Sequence, residues 1–174
     1  MPGNSFIKFN DVPKGESMQD SHKGSSGWIE IGDWNWEISS DTSFLKGGGA
    51  SVGKPTPGSL SFTHFYDLSS PTIMKKIVEG RSFSEVHIHM LKQVGESAPV
   101  VYFSLLATDA FITKVATKGG EDGAVNQDVE MVFKKVALGY KMQNNDGTLA
   151  KSPAPFGWDI AAMKTAEQEV KWEG

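Results

Sequence analysis

The chain has 174 residues, with 17 basic against 21 acidic side chains and a net charge of -4. This length fits one domain, so we expect a single domain over residues 1–174. The acidic balance disfavours a nucleic-acid partner, since proteins that bind DNA or RNA usually carry a basic excess. There is no cysteine, which excludes disulfides, iron–sulfur clusters and a cysteine nucleophile.

The N-terminus and the hydropathy pattern predict neither a secretory signal nor a membrane span. The opening MPGNSFIKFNDV lacks a basic segment followed by an apolar run. No apolar stretch approaches the ~18 residues of a membrane helix. We therefore expect a protein that is made in the cytoplasm, has no membrane partner, and would leave the cell only by a route that needs no general signal peptide.

Short alternating segments separated by turn residues predict a mainly β chain. The predicted strands cover, in chain order, residues 6–12, 28–39, 59–68, 83–94, 100–106, 111–117, 129–141 and 156–160. In the strand at 28–39 the apolar phase slips around Gly32, as a β-bulge would produce. This pattern favours an antiparallel barrel or sandwich with one helix packed outside it.

One helix and two irregular segments complete the prediction. The helix has Ser70 as N-cap and Pro71 at its first position, and it stops at Gly80. Its predicted apolar face consists of Ile73, Met74, Ile77 and Val78. Residues 40–58 lack periodicity, which indicates a long functional or interaction loop. The C-terminal tail, about residues 163–174, is predicted to be a short helix or a frayed end.

His87 and His89 are the candidate metal ligands. Residues at i and i+2 of a strand share one face, and two imidazoles there can chelate a metal with a third ligand, for which His64 is available. The competing interpretation is a pair of half-exposed polar residues on the outer face of the strand. If the metal interpretation holds, the protein is a small β-barrel metal-dependent enzyme.

The segment 48–55 tests a second ligand class, the nucleotides. It matches the P-loop as far as Lys54 but ends in Pro55. Proline offers no hydroxyl for Mg²⁺ and no N–H for a phosphate, and it does not readily open the helix that the motif requires. We therefore expect no nucleotide binding.

A series of short motifs extends from about residue 5 to about residue 162. They are Phe6-Ile7-Lys8, Lys14-Gly15-Glu16-Ser17, Trp28-Ile29-Glu30-Ile31, Trp34-Asn35-Trp36, Leu60-Ser61-Phe62-Thr63, Ser70-Pro71-Thr72-Ile73-Met74 and Gly157-Trp158. In order and spacing the series resembles the haemolysin-coregulated protein (Hcp) family, the tube proteins of bacterial type VI secretion systems.

The resemblance implies a fold, an assembly and a location. The fold would be a β-barrel of two sheets with one helix on its side, without a cofactor or enzyme activity. Six copies would form a ring, and rings would stack into a tube that carries effector proteins in its lumen and meets the tip and sheath of the machine. The tube would assemble in the cytoplasm and then be secreted without a signal peptide.

The resemblance also assigns roles to particular residues. Asn35, between two tryptophans, corresponds to a small polar residue that lines the lumen and affects effector retention in one branch of the family. Serine is common at this position in that branch, whereas this chain has Asn35, so the cargo preference of the branch does not transfer. Ring stacking or subunit contact would involve residues of the long loop, namely Leu45, Gly47, Gly48, Gly49 and Lys54.

Two segments depart from the family pattern. Residues 23–27 form a longer segment than in many members, and the chain from Thr165 onward runs past the usual end. The resemblance gives no function for either segment.

Overall fold

A computed structural model describes residues 4–41, 43–45, 49–51, 53–95, 98–151 and 155–174. Over these residues the chain is mostly strand, with one α-helix, as predicted. The elements are β1 Ser5–Phe9, β2 Met18–Gln19, β3 His22–Lys23, β4 Trp28–Glu30, β5 Trp34–Asn35, β6 Ile38–Ser40, β7 Ser43–Leu45, β8 Gly49–Ser51, β9 Pro55–Pro57, β10 Leu60–Phe65, α1 Ser70–Glu79, β11 Phe83–Lys92, β12 Val100–Gly119, β13 Val125–Val132, β14 Lys135–Tyr140, β15 Phe156–Asp159 and β16 Lys164–Thr165.

Ten of the strands form two antiparallel walls that share β12. The first wall has the order β16-β15-β14-β12-β11-β1-β4, and the second has β12, β13, β10 and β5. Residues 100–110 of β12 pair with β11, while residues 111–119 pair with β13. The two walls enclose the core, which confirms the predicted antiparallel β architecture with one helix.

The strand at the corner between the walls was predicted as two pieces, 100–106 and 111–117, but β12 is continuous. Asp109 lies between them with φ of 52°. Aspartate tolerates this left-handed conformation better than most residues, so the strand changes direction without ending. The reverse error occurs at 129–141, where one predicted strand divides into β13 and β14. Between them, the Lys134 N–H donates to the Thr108 carbonyl.

The predicted strand at 28–39 is instead three short strands, β4, β5 and β6. The predicted phase change is present, but a β-bulge is not its cause. The N–H of Ile31 donates to the Ser5 carbonyl in the first wall, and the N–H of Gly32 donates to the Thr63 carbonyl in the second wall. The chain therefore crosses between walls here, and Trp34 packs inward although Trp28 does not.

The long segment 40–58 is not the irregular loop predicted from its sequence. It belongs to a two-stranded ribbon in which β6 pairs with β9 and β7 pairs with β8. The described ends of the ribbon are largely exposed. The mostly exposed strands β6 and β9 show no apolar alternation, so their sequence carries no strand signal.

Helix α1 begins at Ser70, one residue before the predicted start, and Ser69 is its N-cap. The hydroxyl of Ser70 accepts a hydrogen bond from the Asp67 N–H instead of capping the helix. Gly80 ends the helix, as predicted, and it does so in the left-handed conformation.

The apolar face of the helix is narrower than predicted. Ile73 is buried and Ile77 packs against the core, whereas Met74 and Val78 are exposed. With ten residues, α1 is short, and no helix in the described ranges has the length and hydropathy to cross a membrane.

The main core lies between the walls and is mainly apolar, although the buried pair His64 and Gln127 also faces inward from β10 and β13. Phe9 sits near its centre, with its ring 4.6 Å from that of Phe83 and 6.0 Å from that of Phe62. The fully buried members of this inner core include Ile7, Phe9, Leu60, Phe62, Ile73, Phe83, Val86, Ile88, Leu105, Val129 and Met131.

The C-terminal tail is neither a helix nor a frayed end. After β16 it runs over the outer face of the first wall, and we call residues 166–174 the strap. The Ser104 hydroxyl donates to the Lys171 carbonyl at 2.5 Å. The amide of Gln168 donates to the Thr108 hydroxyl at 3.0 Å. Val170 of the strap is buried against Leu106 and Ala137 of the first wall, so this segment adds a layer outside the predicted barrel.

Candidate functional site

The outer face of the second wall presents polar side chains around Asn35. Asn35 pairs in register with Ser61, which pairs in turn with Glu130, and Glu130 pairs with Lys114. Residues in one register row point to the same side of a sheet. The next row adds Thr63 and Asp128. We call the six residues Asn35, Ser61, Thr63, Lys114, Asp128 and Glu130 the polar face.

Asn35 is exposed because the alternation of its strand places both neighbouring tryptophans inside. The Trp34 ring packs 5.4 Å from that of Phe103, and the Trp36 ring packs 5.6 Å from that of Phe133. A shallow depression of about 380 Å³ lies beside Asn35. The carboxylates, hydroxyls and amide of the polar face can hydrogen-bond to a polar partner. These six side chains do not offer it an apolar anchor.

The candidate stacking residues lie on the ribbon or between its strands. Leu45 ends β7 and Gly49 begins β8, while Lys54 precedes β9 and is exposed. Gly47 and Gly48 fall outside the described residues. The described candidates therefore lie on or next to one element, the ribbon, which follows Asn35 in the chain.

The metal hypothesis needs a third ligand beside His87 and His89, and the structure places His64, the candidate for it, elsewhere. His64 lies on β10, buried, where its Nε2 is 2.6 Å from the Gln127 Oε1. His87 and His89 lie on β11 and have other partners. Within the described ranges, no three His, Cys, Asp or Glu side chains are grouped to hold a metal ion. These residues therefore do not supply the ligand set that this hypothesis requires.

The competing interpretation of half-exposed histidines is also wrong, since His87 and His89 are only 4% and 0% exposed. They do lie on the outer face of the first wall, as predicted. In register, His89 stands between Phe6 and Ser104, and His87 stands between Lys8 and Leu106. The strap covers this face, which explains the burial of polar side chains outside the inner core.

A third histidine, His22, joins this outer cluster from the hairpin formed by β2 and β3. Its Nε2 lies 2.8 Å from the His89 Nδ1, and its Nδ1 lies 2.8 Å from the Ser21 Oγ. The Trp28 ring packs 4.4 Å from the His22 ring and 4.8 Å from the His89 ring. We call His22, His87 and His89, with the aromatic rings around them, the outer histidine cluster.

Burial keeps these histidines neutral. It lowers the pKa of His22 to about 4, and the positive charge of Lys8 adds to the effect. It lowers the pKa of His89 to about 3, with further lowering by His22 and His87. The pKa of His87 is also lowered by burial, although its Glu85 partner, 3.1 Å away, acts in the opposite direction.

Sequence reasoning missed His22 as a partner of His89, because 67 residues separate them and no local periodicity joins them. A signal for the strap does exist. Val170 and Trp172 alternate with charged residues near the chain end, a pattern typical of a segment with one buried face.

Comparisons with known proteins agree with this fold. Residues 6–140 match the sequence model of a family described as "Type VI secretion system effector, Hcp". The chain is 32% identical over 157 residues to the protein Hcp1 of Pseudomonas aeruginosa, which covers 89% of this chain and 93% of that relative.

Solved structures add evidence on the fold. The crystal structure of Hcp1 from Salmonella typhimurium is 28% identical, with a TM-score of 0.74 over 95% of this chain and 100% of that one. The structure of a type six secretion system protein has a TM-score of 0.83 over 93% of this chain and 98% of that one, at 23% identity. The predicted resemblance is confirmed, and the chain belongs to the Hcp family of type VI secretion system proteins.

Proposed function

We propose that this protein is the subunit of a type VI secretion inner tube, a structural protein without enzyme activity. Six copies form a ring, rings stack, and the assembled tube leaves the cell with effector proteins in its lumen. Its other partners are the tip and sheath components of the machine. Membership in the Hcp family supports a role in the type VI secretion machine. The contrast between the outer faces of the two walls supports the orientation of the subunit within a ring.

The observation that carries the proposal is the contrast between those faces. The strap and an apolar layer cover the outer face of the first wall, whereas the polar face of the second wall is open. A lumen that passes protein cargo needs a solvated, hydrogen-bonding lining without a large apolar patch. The polar face has this chemistry, so we assign it to the lumen and Asn35 to effector contact.

The ribbon has the shape for contact between rings or neighbouring subunits. It extends the chain by two pairs of strands, and its Lys54 side chain is available for a charged contact. We assign Leu45, Gly47, Gly48, Gly49 and Lys54 to this contact. A closed ring of identical subunits uses two different surfaces of each copy, so the contacts are heterologous.

The first test is the mass in solution, from light scattering after gel filtration. Six copies of 18.9 kDa would have a mass of about 113 kDa, and electron micrographs should then show annular particles with a central hole. A strict monomer at high concentration would contradict the ring. Lys54→Glu should retain the ring mass and shorten stacked tubes, while Lys75→Glu on the exposed side of α1 is the matched control.

The second test addresses cargo. Affinity-purified rings from producing cells, analysed by mass spectrometry, should contain fewer co-purified effectors after Asn35→Arg. Asn145→Arg, in an exposed turn away from the polar face, introduces the same chemical change as a control. Equal effector recovery from both variants, with ring mass preserved, would remove Asn35 from the lumen contact.

A further inference from the structure

The strap is seated on the first wall by a small number of specific contacts. A Cβ atom on Gly139 would lie 2.6 Å from the Val170 Cγ2 and 2.7 Å from the Trp172 Cζ2, so only glycine leaves this space. The Lys141 Nζ lies 4.3 Å from the Trp172 ring centre. These contacts are outside the inner core, so the strap can detach without opening the barrel.

The His22–His89 pair lies where the strap, β11 and the hairpin of β2 and β3 meet. His89 is adjacent in register to Ser104, whose hydroxyl holds the Lys171 carbonyl. The backbone of Gly174 lies against Ser21 and His22. A change in this pair therefore acts on both ends of the last four residues of the strap.

The hydrogen bonds of the pair limit how many protons it can hold. In the neutral state, one imidazole N–H lies between His22 Nε2 and His89 Nδ1, because one nitrogen must donate and the other accept. One added proton makes His22 an imidazolium, whose Nδ1–H donates to the Ser21 hydroxyl and whose Nε2–H donates to His89, so the hydrogen bonds survive but a positive charge is buried. A second proton would place N–H against N–H across a 2.8 Å contact.

We propose that the His22–His89 pair is a pH-sensitive latch, which keeps the strap docked on the first wall near neutral pH and releases it in acid. The inference goes beyond the tube function and does not depend on it. The direction follows from burial, because the docked state excludes protons that the released histidines accept from water.

Among the charged groups around the pair, Lys8 disfavours protonation of both histidines. Lys8 projects from β1 over the Trp28 ring, at 5.8 Å, and Lys171 lies on the strap. Both lysines and Glu173 line a cavity of about 500 Å³ beside His87 and His89. In the register rows, β12 presents Ser104 and Leu106 and β14 presents Ala137 and Gly139, which do not titrate. The charged residues of the hairpin are exposed, namely Asp20 and Lys23.

Glu85 distinguishes His87 from the latch pair. Its carboxylate accepts a bond from His87, and the Lys171 ammonium is 3.9 Å away. Protonated His87 keeps a carboxylate partner in the docked state, so its titration opposes docking less than that of His22 or His89. We therefore assign the switch to the pair and a supporting role to His87.

The expected size follows from linkage. A group that takes up its proton only when the strap is released changes the ratio of released to docked strap. This ratio rises about tenfold for each pH unit below the free pKa of the group, about 6.5. Between pH 7 and pH 5, each histidine of the pair then raises the ratio of released to docked strap about 20-fold. The pair together raises it a few hundred-fold, on the order of 400.

The test places a fluorophore on the strap. The chain has no native cysteine, so Glu169→Cys gives a single exposed label whose anisotropy reports local motion. From pH 7 to pH 5 this anisotropy should fall, while far-UV circular dichroism and a control label at Lys75→Cys on α1 stay constant. A constant strap anisotropy, or an equal change at both labels, would overturn the latch.

Substitutions in the labelled protein identify the titrating groups. His22→Gln and His89→Gln should each reduce, at least tenfold, the change in the ratio of released to docked strap between pH 7 and pH 5. His64→Gln, which replaces a buried histidine of the second wall, should leave that change as it is in the parent protein. An undiminished response in both His22→Gln and His89→Gln would refute the assignment. His22 lies outside the barrel strands, so His22→Gln remains informative if His89→Gln does not fold. Trp172→Ala should give low anisotropy at both pH values.

Discussion

The inner core and the outer histidine cluster lie on opposite faces of the same strands but are built differently. The inner core is mainly apolar and enclosed by two walls. The outer cluster contains three histidines and is enclosed by one wall and a strap of nine residues, 166–174. Ile88 belongs to the first region and His89 to the second, although they are neighbours in β11.

This difference separates two kinds of stability. Burial of apolar side chains does not depend on proton concentration, so the inner core sets a stability that is constant across moderate pH. The outer cluster contributes only while its imidazoles remain neutral. A single sheet thus carries a permanent layer on one face and a conditional layer on the other.

The largest effect should come from an inner-core truncation. Phe9→Ala removes a fully buried ring that packs on two other phenylalanines, so the free energy of unfolding should fall by about 3–5 kcal/mol. Urea unfolding measures it. If the loss were no larger than that of an outer-cluster truncation such as Phe6→Ala, the division into a strong and a weak layer would be wrong.

Acid should produce the next largest effect, and its sign follows from the lowered pKa values. Folding holds His22 and His89 neutral, so their contribution is complete above a pH of about 6.5 and is lost as pH falls towards their folded pKa values. At pH 5 each histidine should lower the free energy of unfolding of the strap-docked form by about 2 kcal/mol.

Urea unfolding at pH 7 and pH 5 measures this loss. The double variant His22→Gln/His89→Gln should show a flatter dependence on pH, whereas Phe9→Ala should show the slope of the parent protein. A parent stability that is equal at the two pH values would count against the neutral-histidine account.

A smaller effect is expected from Gly139→Ala. The added methyl group meets Val170 and Trp172, so the strap must shift, at about 1–3 kcal/mol. Gly119→Ala is the matched control, because a Cβ there meets nothing within 4 Å. Thermal unfolding should rank the control above Gly139→Ala, and equal midpoints would mean that the strap does not bear on Gly139.

The smallest effect is expected on the surface. The Lys76 Nζ lies 2.9 Å from the Asp11 Oδ2 and ties α1 to the chain after β1. Loss of this ion pair should leave the packing of both layers unchanged, since Asp11 is half-exposed and solvent screens its charge. Asp11→Asn should change the free energy of unfolding by about 0–1 kcal/mol. A larger loss in urea unfolding would show that α1 docking supports the inner core.

The sequence predicts the inner layer better than the outer one. Alternation identifies β11, and a continuous apolar run identifies the first part of β12. Alternation fails at Gly32, Asp109 and Lys134, where the chain passes between walls, because a wall change leaves local composition unaltered. The ribbon fails for a related reason, since its strands β6 and β9 are largely exposed and show no apolar alternation.

The candidate site shows the same limit. The position of Asn35 on an exposed face follows from the two tryptophans beside it, together with the family resemblance. The histidine cluster does not, because His22, His89 and Lys171 approach one another only through tertiary structure. The metal hypothesis treated His87 and His89 by strand spacing alone, which places them on one face but cannot say what covers it.

The sharing of β12 between the walls has a kinetic consequence. The first half of this strand pairs with β11 and β14 and the second half pairs with β13, so the two walls close together only when both halves of β12 are aligned. The second wall also requires β10 to meet β13 across about 65 residues of chain. Such non-local pairings slow folding relative to a helical bundle of equal size. The chain should therefore fold slowly and with high cooperativity.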